Sequence, residues 1–323
     1  MERIDTAKKT VERRESAAIE WDAPSLPHRE ARIENRVSVA VFFLEFAKQC
    51  WSGLHLLSLD APLVAILWQL LFAKALHVHL SPVVPVVLGS VIWLIYVADR
   101  ILDSYQPGDV APEALRHQFY RRYRVAFVPA FLAVLLATSW MAFADLGLQM
   151  RRDGILLAAV VGGYLAVVHL AGSRACQWFP KEMAVAILFA AGTLMPVRIQ
   201  VQLRVRFLLP LLLFLAVLWM NTLFIEYSEW VKLRGSSLDR PHESTVLLGR
   251  HLMAFGATIG ILALCAMASQ WFPLSRPILL AEGLSAIALG VLGWRWRRIS
   301  PYTVRVSADL ALLTPLLLLL SQR

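Results

Sequence analysis

Between Ala75 and Ala98 the chain carries no Lys, Arg, Asp or Glu, and comparable apolar runs recur as far as Ser321. About 20 apolar residues suffice to cross a bilayer as a helix. Lipid offers no partner for backbone N–H and C=O groups, so a crossing segment must be a helix or part of a closed barrel. A barrel strand alternates apolar and polar residues with a period of two, and these runs do not. The expected fold class is therefore an all-α integral membrane protein. Composition agrees: 58% of the 323 residues are hydrophobic and 17% charged, where soluble domains have about a quarter charged.

Nine segments read as spans, at about 59–78, 82–99, 125–145, 154–172, 181–198, 206–226, 252–272, 277–294 and 304–321. The weakest are the first, bracketed by Asp60 and Lys74, and the last two, which carry Glu282 and Asp309. Residues 1–36 read as a polar, disordered cytoplasmic tail, followed by a single membrane domain over 37–323. That domain opens with "SVAVFFLEFAKQCWSGLHLL", 38–57, whose Glu45 and Lys48 among apolar residues suit an interfacial amphipathic helix. Cys50, Cys176 and Cys265 are far apart and show no metal-ligand spacing.

Orientation follows from where Lys and Arg fall between spans. The loops after spans 2, 4, 6 and 8 hold 15, and the alternate loops hold 7. This places the N-terminus and the first set of loops in the cytoplasm and, with nine spans, the C-terminus outside. The net charge of +9 is accounted for by basic loops facing anionic lipid, and no nucleic-acid motif accompanies it.

Against this background "YVADRILDSYQ" is conspicuous. Asp99 and Asp103 lie four residues apart at the end of span 2, on one helix face. Two readings apply. They are solvated carboxylates ending a span, or they are a pair holding a divalent cation, which would relieve their mutual repulsion. Magnesium takes one or two carboxylates, several waters and the oxygens of a phosphate.

A second acidic group ends span 6, in "WMNTLFIEYSEWVKLRGSSLDRPHESTVLLGRH". Glu226 and Glu229 are three apart, and Asn221 lies about two turns before Glu229. The charge bias puts both groups on the same side of the membrane. Two acidic patches with flanking basic residues resemble the halves of a magnesium–diphosphate clamp. A charged cytoplasmic loop is the plainer alternative.

These residues resemble the UbiA superfamily of intramembrane prenyltransferases, whose members have nine helices around a central cavity open to the cytoplasm and acidic motifs after helices 2 and 6. The first motif, Asn-Asp-x-x-Asp-x-x-x-Asp, aligns with "IYVADRILD", where Asp99 and Asp103 match and Ile95 and Tyr96 replace the leading Asn-Asp. In the second region "NTLF" puts Asn221 in an Asp position, and "HESTVLLGRH" puts Ser244 and Thr245 in a Ser-Thr position. "KEMAVAILFAAGT" is similar to the family's fifth helix.

The resemblance implies magnesium-dependent ionisation of a prenyl diphosphate and transfer of the prenyl group to an acceptor, aromatic ones included, in a bacterial inner membrane. Asp99 and Asp103 become the catalytic acids. The metal set adds Asn221, Glu226 and Glu229. Arg100, Arg116, Arg121, Lys232 and Arg240 become the diphosphate grips, and Gln69, Tyr96 and Glu182 possible cavity residues. Two alternatives remain open: a UbiA-type terpene cyclase, and a non-catalytic membrane protein with degenerate motifs.

Overall fold

The structure, a computed structural model, describes residue 53 and residues 57–103, 114–171, 179–200, 205–232 and 241–321. The expected tail lies outside the described residues, as does the interfacial segment apart from Gly53 and Leu57. Among the described residues every regular element is helical: α1 (Asp60–Ala75), α2 (Val83–Asp103), α3 (Ala114–Asp145), α4 (Leu148–Ala171), α5 (Lys181–Gln200), α6 (Leu208–Lys232), α7 (Glu243–Arg250), α8 (Leu252–Ala268), α9 (Arg276–Arg295), α10 (Pro301–Ala311) and α11 (Thr314–Ser321).

Each of the nine expected segments falls on a helix. Among the described residues seven crossings are long and apolar enough to span a bilayer, the last of them made jointly by α10 and α11, and α7 with α8 makes an eighth if that bent pair counts as one. The pair is bent by 80°. Helix α1 has 16 residues, about 24 Å at 1.5 Å per residue, short of a hydrocarbon core of about 30 Å. It stops where His77 takes a left-handed conformation (φ 54°) and Val78 N–H donates back to the Ala73 carbonyl.

Local chemistry sets the other ends. Pro180 precedes α5 and supplies the carbonyl that accepts from Met183 and Ala184 N–H. His242 caps α7, its Nδ1 accepting from Ser244 N–H at 3.2 Å. Ser300 caps α10, its Oγ accepting from Thr303 N–H at 3.1 Å, and Pro301 follows at the first helical position.

Helix α6 is the hub, packed on α5, α7, α8, α9 and α10. Trp68, Phe72 and Phe214 form an aromatic centre where α1 meets α6, with ring centroids 4.7 to 6.2 Å apart. Helices α8 and α9 approach most closely. A Cβ on Gly256 would lie 2.6 Å from the Ala286 carbonyl oxygen and 2.9 Å from Gly290 Cα, so the contact requires glycine there. Helix α3 packs chiefly on α2 and α4 on α5. Their outer faces present Leu136, Trp140, Leu156 and Leu170, which suits lipid.

Candidate functional site: the Asp99 end of the bundle

At one end of the bundle, polar contacts link the C-terminus of α2 to that of α4, and the C-terminus of α6 to the N-termini of α5 and α10. On α2, Asp99 Oδ1 is 3.9 Å from Nε2 of His169 on α4. His169 Nδ1 is 2.9 Å from the Leu165 carbonyl oxygen. A carbonyl only accepts, so Nδ1 carries a proton and Nε2 is the nitrogen turned to Asp99. One turn back, the Tyr96 hydroxyl has the carboxylates of Asp309, Asp60 and Asp99 and the Arg100 guanidinium within electrostatic reach. Asp60 is buried at the start of α1, and Asp309 comes from α10.

Helix α6 reaches the same helix, α10, from its own side. Arg305 donates from Nε to Glu229 Oε1 at 2.9 Å and from Nη2 to Oε2 at 2.8 Å. Arg305 and Asp309 are four apart and share a face. Glu229 on α6 thus meets α10 directly, while Asp309 on α10 lies within electrostatic range of Tyr96 on α2.

Glu226 is held by Lys181 at the start of α5, Nζ to Oε1 2.8 Å. Lys232, expected to grip diphosphate, donates to the carbonyls of Trp296, at 2.8 Å, and Ile299, and lies 5.3 Å from the centre of the Trp296 ring. It ties α6 to the turn between α9 and α10. The second acidic region is thus built as interhelical ion pairs and a lysine clasp.

Among the buried candidates, Gln69 on α1 has no hydrogen bond to Oε1, and Asn221 on α6 none to its amide nitrogen. Glu182 is buried in the first turn of α5 and no hydrogen bond reaches its carboxylate oxygens. The Thr245 hydroxyl and the Glu226 and Lys181 charges lie near it, and Thr222 Oγ1 donates to its backbone carbonyl at 3.2 Å. Asp103 ends α2, and Arg116 and Arg121 ride on the first turns of α3, but their side chains lie outside the described residues, as does Arg240 altogether. Among the described residues no group of three or more His, Cys, Asp or Glu side chains gathers as a metal site.

Five residues of this end were not among the expected site residues: Asp60, His169, Lys181, Arg305 and Asp309. The pattern of Arg305 and Asp309 at i and i+4 in an apolar run was the available signal. The partners on α2 and α6 depend on packing. No family model, curated protein or solved structure matches the chain.

Proposed function

We propose that this chain is a UbiA-like intramembrane enzyme that transfers a prenyl group from a prenyl diphosphate to an acceptor at the Asp99 end of the bundle, on the cytoplasmic side. The observation that carries this reading is Asp99 at the end of α2, 3.9 Å from His169 on α4, with Asp60, Arg100 and Asp309 within electrostatic range of Tyr96 one turn earlier. Ionisable side chains are costly at a membrane boundary and usually mark a substrate path. The order of acidic helix ends, after α2 and again after α6, agrees with the family's arrangement.

Magnesium fits one half of this end. Glu226 and Glu229 are already engaged by Lys181 and Arg305, so an ion shared between α2 and α6 does not fit the described residues. Asp99 and Asp103 on α2 are carboxylates of the kind magnesium takes alongside water and phosphate oxygens, and they would hold the ion from that side. An ion held there would supply positive charge to the leaving diphosphate. Arg100, Arg116 and Arg121 would bind the remaining oxygens, Arg in particular giving paired hydrogen bonds to phosphate. The apolar helix faces would take the prenyl chain.

The engaged glutamates favour one other reading, a membrane protein in which the second motif has become purely structural. Purified protein in lipid, offered prenyl diphosphates with and without aromatic acceptors and with and without magnesium, tests the proposal. Magnesium-dependent diphosphate release with a prenylated acceptor supports transfer. Release with a prenyl hydrocarbon and no acceptor product indicates cyclisation, and no binding or release supports the structural reading.

A further inference from the structure

A second ionisable site lies away from the Asp99 end of the bundle. Glu282 on α9 is fully buried. Among the described residues its carboxylate has no hydrogen-bond partner. The charges of α9 itself, Arg276 and Arg295, sit at its two ends. The nearby hydroxyls are committed. Thr314 donates to the Ala281 carbonyl at 2.9 Å and contacts Ser285 Oγ at 2.7 Å, so in that contact Ser285 is the donor. Neither has a proton left for Glu282.

Two further features surround this residue. The last span is broken between Ala311 and Thr314, where Trp68 Nε1 donates to the Leu312 carbonyl at 2.9 Å, and Thr314 fastens the second half to α9. In addition, Ile278, one turn before Glu282 on the same face, lines a cleft with Phe72, Leu76, Leu194, Val197 and Arg198, which pairs with Asp153. That cleft lies among the C-termini of α1 and α5 and the N-termini of α6 and α9, the bundle end opposite Asp99.

We propose that Glu282 is a proton-binding site in the membrane interior, exchanging with the bundle end opposite Asp99 through the cleft over Ile278. A metal cation needs several oxygens, and the carbonyls of Leu312 and Ala281 are engaged by Trp68 and Thr314. A proton needs one carboxylate oxygen and removes the charge that burial at this depth makes costly.

Infrared spectroscopy of the full chain in lipid nanodiscs tests this. At neutral pH the wild type should show a protonated carboxylic-acid carbonyl stretch that Glu282→Gln lacks. In heavy water that band should shift to lower frequency, and Ile278→Phe should slow the shift. A difference spectrum with carboxylate bands only, an acid band that never shifts, or an unslowed shift in Ile278→Phe would each overturn the proposal. Should Glu282→Gln fail to fold, Glu282→Asp keeps the acid and should move the band; an unmoved band would equally contradict it.

Discussion

Arg305 and Glu229 form a two-bond fork, Nε to Oε1 at 2.9 Å and Nη2 to Oε2 at 2.8 Å, that joins the C-terminal end of α6 to α10. Both side chains are largely buried, 18% and 13% exposed. Taking one partner from a buried pair strands the other charge, at about 3–5 kcal/mol. Arg305→Ala should therefore lower stability in detergent by about 3 kcal/mol. The double variant with Glu229→Gln should recover part of it. The comparison of denaturation curves also distinguishes roles: loss of activity in Glu229→Gln with stability intact would make Glu229 a ligand, contrary to its place here.

The Lys181–Glu226 pair should matter less. Lys181 is 40% exposed and Glu226 25%, and exposed pairs contribute about 0–1 kcal/mol. Lys181→Ala is expected to leave the denaturation midpoint close to that of the wild type. A loss as large as that of Arg305→Ala would show that Glu226 and the buried Glu182 beside it depend on that ammonium.

The closest helix contact predicts a third outcome. Gly256→Ala puts a methyl into the Ala286 carbonyl oxygen and Gly290, and overpacking of this kind costs about 1–3 kcal/mol. Thermal unfolding should register it, whereas Gly162→Ala, where a Cβ meets nothing within 4 Å, should be neutral.

Much of this was legible in the sequence. Apolar runs of bilayer length, several of them with one or more charged residues, marked all nine helical segments, because burial of the backbone in lipid leaves no other regular structure. What periodicity did not reveal was where those helices fall short: α1 is stopped by the turn at His77, and α7–α8 bend by 80°. Asp99 was found because it interrupts an uncharged run. Glu226, Glu229 and Lys232 were noticed for the same reason, but their partners, Lys181, Arg305 and the carbonyls of Trp296 and Ile299, are 45 to 76 residues away in sequence. Spacing within one helix carries no information about such pairs.

Orientation rests on the charge bias and is open to direct measurement. Single cysteines at Gly108 and Ser236 should react with an impermeant thiol reagent only from the cytoplasmic side, and one at Arg323 only from outside. Reaction of Gly108→Cys from outside would reverse the assignment and move Asp99 to the other face of the membrane.

The central claim concerns Asp99 and Asp103, and the most direct measurement is diphosphate release from a prenyl diphosphate by wild type, Asp99→Asn and Asp103→Asn, each with and without magnesium. If the pair holds the ion, each variant stays folded and loses turnover by orders of magnitude, since every 1.36 kcal/mol of lost leaving-group stabilisation is tenfold in rate. Magnesium-dependent turnover that is unchanged in both variants would mean that the two carboxylates only end a helix, and would contradict the account.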